Sequence, residues 1–145
     1  MSHITEIITV PYNVKYIFSL VNDVNNYSKF IPWCTSSKIL KKNNNIFICE
    51  IQLSFLGFKE ILVTKNKCIK DISIFIQLIS GKFNQFSAIW NFFPISPCTT
   101  KIKFELIFFS NHTHINAFFN LFLKNKANDI INFFLKEAYK KDELK

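Results

Sequence analysis

The sequence predicts an α+β domain with a mainly antiparallel sheet and a long C-terminal helix. In the middle of the chain, short runs alternate apolar and polar residues, as strands with one buried face do. From residue 113 to 140 the apolar residues recur at helical spacing instead. The length of 145 residues suits one domain, so residues 1–145 are expected to share a single core.

The N-terminal part predicts one strand followed by two short helices. Residues 3–10 alternate weakly and are rich in β-branched side chains, as a strand would be, and Pro11 ends that run. Asn13 is placed to cap the first helix, and Pro32 ends the second. The apolar faces of these helices comprise Val14, Ile17, Phe18, Val21 and Val24, and then Tyr27, Phe30 and Ile31.

The central part predicts about six antiparallel strands separated by polar turns. The runs are residues 35–40, 49–55, 61–68, 72–78, 83–93 and 102–108. Residues 83–93 read as one or two strands, and the prolines predict a loop from 94 to 97. Ile102, Phe104, Leu106 and Phe108 oppose Lys101, Lys103 and Glu105 and give the clearest strand pattern in the chain.

The predicted C-terminal helix carries an unusually broad apolar stripe. Its members are Phe119, Leu123, Ala127, Ile130, Phe134 and Ala138, widened by Phe118, Phe122, Ile131 and Phe133. Such a helix must bury the stripe against one face of the sheet, which makes a two-layer domain. A curved sheet that grips one helix can leave an apolar cavity between them. The alternative is that these aromatic side chains simply fill the core.

The formal charge of +8 predicts a basic surface that could attract nucleic acid. Every basic residue is lysine and none is arginine, so bidentate contacts to guanine or phosphate are not available. A base-reading site is therefore not expected, and DNA is not expected as a partner.

No motif predicts catalysis or a structural metal. The four cysteines, among them Cys34, are widely spaced and are expected to be free thiols. His112 and His114 could together bind a metal, although such a pair is more typical of a solvated loop before a helix. Trp33 follows a helix-ending proline and could be either a core side chain or an exposed anchor. The sequence therefore predicts a binding protein and not an enzyme.

The location predicted from the sequence is cytoplasmic. No apolar run approaches the roughly 20 residues that span a membrane. The first residues carry no basic segment followed by an apolar block and do not resemble an organellar presequence.

One string of residues resembles a known family. It comprises Val10-Pro11-Tyr12, then LVNDV at residues 20–24, Tyr27, Phe30, Pro32, Cys34 and residues 37–40. The chain resembles the ribosome association toxin (RatA) and coenzyme-Q-binding START-like proteins of the polyketide cyclase and lipid transport superfamily. The likeness continues at pattern level through Gly81, Phe83, Trp90, Phe92, Pro94, Phe104, Phe108, Phe122, Phe134 and Ala138.

The resemblance implies a helix-grip (START-like) fold, in which a curved sheet of six to seven strands wraps around a long C-terminal helix. It implies that the chain binds the large ribosomal subunit and blocks its association with the small one, as the toxin of a type II toxin–antitoxin system with a small antitoxin protein. The alternative that it implies is a protein that binds ubiquinone or another polyisoprenoid lipid and supports respiratory electron transport. Such a protein would lie peripheral to the membrane while it exchanges quinone. Trp33 before Cys34 is more similar to the quinone-binding branch, whereas Lys82 and Glu137 depart from the common pattern.

The candidate site residues fall into two sets. The candidate ligand cavity comprises Phe30, Trp33, Trp90, Phe92, Phe119, Leu123, Ile130 and Phe134. Lys101 and Lys103 are the candidate RNA-facing residues, because they lie on the exposed face of a predicted strand. No cofactor is expected to be required, and a bound ubiquinone is compatible with the apolar set.

Overall fold

The computed structural model describes residues 2–118 and 128–143 of the chain. Within them the strands are β1 (Ser2–Val10), β2 (Cys34–Asn43), β3 (Ile46–Phe55), β4 (Phe58–Ile69), β5 (Ser73–Ser80), β6 (Gln85–Ser96) and β7 (Thr99–Phe109). The α-helices are α1 (Val14–Asn22), α2 (Tyr27–Phe30), α3 (Thr113–Phe118) and α4 (Asn128–Glu143), with a 3-10 turn at Val24–Asn26.

The strands form one antiparallel sheet in the order β1-β7-β6-β5-β4-β3-β2. Strands β2 to β6 each pair with the next strand along the chain, and β1 adds to the far edge beside β7. Helices α1 and α2 connect the two edge strands, β1 and β2. The predicted α+β fold with a curved antiparallel sheet and a C-terminal helix is confirmed.

The predicted helix ends at the N-terminal side are also confirmed. The Asn13 side chain accepts a hydrogen bond from the Lys15 backbone N–H at 2.8 Å, as an N-cap does. Ile31 leaves helical geometry at the end of α2, directly before Pro32. Helix α1 buries Ile17 and Val21 almost completely, so the predicted apolar face is the packed one.

The prediction of a loop over residues 94–97 is wrong. Strand β6 continues through Pro94 to Ser96, and the turn before β7 is correspondingly short. Pro94 pairs with Thr100, and the register shifts between Pro94 and Ser96, as at a β-bulge. A bulge at the end of a strand tolerates proline because the missing backbone N–H interrupts little of the ladder.

The core lies between the concave face of the sheet and α4. Ile131, Phe134 and Ala138 of α4 are buried there. The Tyr16 hydroxyl of α1 donates to the Ala138 carbonyl and ties the first long helix to the last one. The single helix predicted over residues 113–140 contains α3 and α4, while Phe119, Leu123 and Ala127 lie outside the described residues.

Candidate functional site

A cavity of about 120 Å³ lies between the sheet and α4. Its lining draws on helix α2 and the segment after it, on strands β2 to β7 and on α4. The residues are Tyr27, Ile31, Trp33, Cys34, Ile51, Leu53, Leu62, Ile76, Phe86, Ala88, Trp90, Phe104, Leu106, Ile130 and Phe134. Almost all of the surface that they present to the cavity is apolar.

The strand pattern places these side chains together because alternate residues of each strand face the same side. Across the middle of the sheet, Ala88 pairs with Ile76 on one neighbouring strand and with Leu106 on the other. Ala88 is buried and is the smallest member of that row. The missing side-chain volume above Ala88 contributes to the cavity.

Aromatic rings form one wall of the cavity. The Trp90 ring centroid lies 4.5 Å from that of Phe104 and 5.2 Å from that of Phe134. Phe134 also meets Tyr27 edge-to-face at 5.2 Å. Such offset and edge-to-face contacts are favourable beyond simple area burial, so this wall fixes α4 against the sheet.

Two polar groups of the lining, the Tyr27 hydroxyl and the Cys34 thiol, are both hydrogen-bonded to the backbone. The Tyr27 hydroxyl donates to the Val21 carbonyl, and burial raises the pKa of Tyr27. Burial raises the pKa of the Cys34 thiol to about 11, although hydrogen bonds with Ser37 and Ser36 oppose that shift. Among the described lining residues there is no carboxylate or imidazole. This arrangement can hold an apolar ring or chain, and it presents no acid–base pair to a ligand.

The structure separates the predicted cavity residues into three groups. Trp33, Trp90, Ile130 and Phe134 line the cavity. Phe30 packs against Phe134 at 5.2 Å without lining the cavity, and Phe92 lies behind Trp90, edge-on to Phe18 at 5.4 Å. Phe119 and Leu123 lie outside the described residues.

Sequence reasoning missed most of the strand contribution to the lining, including Leu53, Leu62, Ile76, Ala88 and Leu106. Their alternation marks them as inward-facing, but it does not show which of them come level across the sheet. A lone alanine among larger inward residues of β6 was the available signal for a space at Ala88.

The two candidate RNA-facing lysines lie on the outer face of β7. Lys101 is exposed, and its ammonium lies 5.5 Å from the Phe93 ring centroid. Lys103 is partly covered and pairs with Glu105 at 3.0 Å. Lys101 is therefore the lysine that is more available to contact a phosphate.

A polar cluster that the sequence analysis did not predict joins α3 to the start of β4. The buried carboxylate of Glu60 lies 2.5 Å from His114 Nε2 and 3.6 Å from Lys82 Nζ. The His114 ring stacks on Phe58 with centroids 4.4 Å apart. Across residues 2–118 and 128–143, no three or more histidine, cysteine or acidic residues cluster as metal ligands would. His114 is therefore a hydrogen-bond partner of the Glu60 carboxylate.

Comparison with known proteins identifies the family. The model of the polyketide cyclase / dehydrase and lipid transport family matches residues 10–135. The chain belongs to that family. The solved aromatase/cyclase Zhui from Streptomyces shares the fold, with a TM-score of 0.83 over 97% of this chain and 94% of that one, at 13% identity. At that identity the likeness concerns the fold alone.

Two curated relatives come from different functional classes. The ribosome association toxin RatA of Escherichia coli K12 is 32% identical over 142 residues, covering 96% of this chain and 90% of that protein. A mitochondrial coenzyme Q-binding protein COQ10 homolog of Xenopus laevis is 29% identical over 84 residues, covering 57% of this chain and 34% of that protein. The resemblance seen in the sequence is confirmed, and the chain is a START-like binding protein.

The described helices include none that is long and apolar enough to cross a membrane.

Proposed function

We propose that this protein binds the large ribosomal subunit and hinders its joining to the small subunit, as the toxin of a toxin–antitoxin pair. The similarity to a ribosome association toxin over 96% of the chain supports the proposal. The structural observation that carries it is an exposed, basic outer face of the sheet, which faces away from the cavity and α4.

Lysines outnumber carboxylates on this outer face. Among the described strand residues that point outward, the lysines are Lys38, Lys41, Lys59, Lys65, Lys67, Lys101 and Lys103, and the acidic residues are Glu50 and Glu105. The acidic residues pair with Lys38 at 3.3 Å and with Lys103 at 3.0 Å. Lys65 and Lys67 form no ion pair with any described residue, so both can neutralise phosphate.

The test is subunit joining with purified ribosomal subunits in magnesium, read on a density gradient. The protein is expected to travel with the large subunit and to leave both subunits unjoined. The double variant Lys65→Glu with Lys67→Glu should abolish both effects, because each reversal replaces a phosphate contact with a repulsion. The matched control, Lys136→Glu with Lys140→Glu, makes the same charge change on exposed positions of α4 and should retain both.

Salt provides a second criterion for the ribosomal proposal. If several lysines contact phosphate, the logarithm of the affinity should fall linearly with the logarithm of salt concentration, with a slope of about −0.7 to −0.9 per contact. Normal joining in the presence of the protein, or equal losses in both double variants, would contradict a specific outer-face contact.

A second candidate function is supported by the cavity. We propose that it binds the ring of an apolar molecule such as ubiquinone or another polyisoprenoid lipid. The relative described as coenzyme Q-binding belongs to this class. The volume of about 120 Å³ is close to the ~150 Å³ of an engineered apolar cavity that holds benzene, so one ring fits the described lining.

The two tryptophans of the chain both line this cavity, which makes their fluorescence a direct probe of occupancy. Titration with a water-soluble, short-chain ubiquinone should quench them saturably. Raised salt should leave this affinity unchanged or slightly stronger, since burial of apolar surface is not screened. Quenching that rises linearly without saturation would show collision only and would contradict the cavity proposal.

A further inference from the structure

Phenylalanine rings are exposed on the outer face of the sheet, away from the cavity. Phe75 of β5 is 38% exposed, Phe93 of β6 is 45% exposed and Phe109 of β7 is 41% exposed. The residue directly before each of them in the chain is buried, so strand alternation directs the three rings outward. Aliphatic side chains are exposed on this face too, but only an aromatic ring offers a flat π-face on which a nucleic-acid base can stack.

Two of these rings have an exposed lysine directly opposite them on a neighbouring strand. Phe75 pairs with Lys67 of β4, and Phe93 pairs with Lys101 of β7. The Lys101 ammonium lies 5.5 Å from the Phe93 ring centroid, so this lysine side chain reaches the ring. Neither lysine forms an ion pair with a described residue. The partner of Phe109 on β6 is a glutamine, so that ring lacks the same arrangement.

The two pairs of ring and lysine lie along one path across the sheet. Phe75 is opposite Ile89 on β6, and Phe93 lies four residues further along β6, which puts the two rings roughly 14 Å apart. Asn91 lies between them on the same face, opposite Ser73 of β5. The path therefore offers a ring with a cation, then an amide and a hydroxyl, and then a second ring with a cation.

We propose that this outer face binds a single-stranded segment of RNA, with one base stacked on Phe75 and another on Phe93. This inference rests on the proposed binding to the large ribosomal subunit, and it identifies the bound element as unpaired ribosomal RNA. Bases in a duplex stack on one another, whereas an unpaired segment can splay its bases onto the rings of a sheet. Lys67 and Lys101 neutralise the phosphates beside the stacked bases.

The absence of arginine from the sequence agrees with this kind of contact. Stacking uses the face of a base and not its hydrogen-bonding edge, so it tolerates any base and needs no bidentate guanidinium group. A lysine supplies the charge that a phosphate requires without such geometry. The path is therefore suited to an unpaired strand of variable sequence.

The test measures the affinity of the full chain for a fluorescein-labelled RNA by fluorescence anisotropy. The RNA is about 12 nucleotides long and has no self-complementarity, and it should bind about tenfold more tightly than the duplex that it forms with its complement. Phe75→Leu and Phe93→Leu should each lower the affinity for the single strand about tenfold, as expected for loss of one stacked base. Each change keeps an apolar side chain at an exposed position, so the thermal unfolding midpoint should stay that of the wild type.

Salt dependence distinguishes stacking from charge attraction. The phenylalanine variants keep both lysines, so the slope of the logarithm of affinity against the logarithm of salt concentration should equal that of the wild type. Lys67→Gln with Lys101→Gln should reduce the slope by about 1.4, because two phosphate contacts to a single strand are lost. The matched control is Tyr139→Leu on α4, where the ring is 61% exposed and a lysine follows it in the chain. Its affinity for the RNA should equal that of the wild type.

Three results would overturn the stacking proposal. The first is equal affinity for the single strand and the duplex. The second is a loss in the phenylalanine variants no larger than that in Tyr139→Leu. The third is loss of large-subunit binding in the phenylalanine variants with unchanged affinity for the RNA strand, which would make the rings a contact for a ribosomal protein.

The subunit-joining assay separates this failure from a failure of the proposed function. If the wild type and both phenylalanine variants block joining equally well, stacking is rejected and the ribosomal function stands. If the wild type leaves joining unaffected while the RNA affinity falls in both variants, the ribosomal function is rejected and the RNA site stands.

Discussion

The substitution Ala88→Val should stabilise the protein while weakening any ligand in the cavity. Valine adds two carbon atoms at a buried position whose side chain faces the cavity. At about 0.8 kcal/mol per buried carbon, the free energy of unfolding should rise by about 1.6 kcal/mol. For a domain of this length the midpoint of thermal unfolding should rise by roughly 3–6 °C. Valine also suits a strand, so the backbone does not oppose the change.

The assay combines thermal unfolding, followed by circular dichroism, with the short-chain ubiquinone titration. The affinity for quinone should fall at least tenfold, because the added methyl groups occupy part of a space of only about 120 Å³. Stability should rise while quinone affinity falls, and general damage to the fold cannot produce both changes.

The control substitution is Ala138→Val, the same chemical change at a position without space. Ala138 is fully buried on α4, and its carbonyl accepts the Tyr16 hydroxyl. Overpacking there should lower the free energy of unfolding by about 1–3 kcal/mol. The reasoning about the cavity is refuted if Ala88→Val lowers the unfolding midpoint as far as Ala138→Val does.

Three further predictions concern the thiols, the turn at Gly81 and the hydrogen bond between Glu60 and His114. At pH 8 a thiol reagent should modify exposed Cys98 quickly and Cys34 only after unfolding, because burial raises the pKa of Cys34 to about 11 and keeps the thiol protonated. Fast labelling of Cys34 in the folded protein would contradict this prediction. Gly81→Ala should lower the free energy of unfolding in urea by about 1–3 kcal/mol, because φ is +151° and the added Cβ would lie 2.7 Å from a methyl group of Leu62. An unchanged urea midpoint would argue against that strain. His114→Ala should lower the free energy of unfolding by about 1–3 kcal/mol in the same measurement, because it removes the nearest partner of buried Glu60. A loss no larger than that of an exposed residue would show that the contact contributes little to stability.

The order of elements was predictable from the sequence because periodicity depends only on local spacing. The switch from period two to helical spacing correctly marked the strands and the C-terminal helical region, and Asn13 and Pro32 correctly marked helix ends. Pro94 was misread, since proline normally ends a strand and the adjacent bulge depends on pairing with β7.

The site was less predictable because it depends on register and long-range contacts. Irregularities of pairing shift β2 against β3 and β4 against β5, and alternation within one strand does not reveal them. The position of Ala88 directly between Ile76 and Leu106 depends on the pairing of β6 with β5 and with β7, which one strand's pattern does not reveal either. Likewise Glu60 occupies an inward position where an apolar residue is expected, and its partner His114 is 54 residues away in the chain.

The position of β1 at the sheet edge has a consequence for synthesis on the ribosome. This strand is made before the other six, yet its partner is β7, from Ser2 opposite Phe108 to Val10 opposite Thr100. Translation at about 5–20 residues per second leaves β1 without its partner for roughly 5–20 s. During that interval its unpaired backbone groups and Ile4 are open to other chains or to chaperones. The nascent protein should therefore remain sensitive to protease until β7 has left the exit tunnel, and the sheet closes last at its first strand.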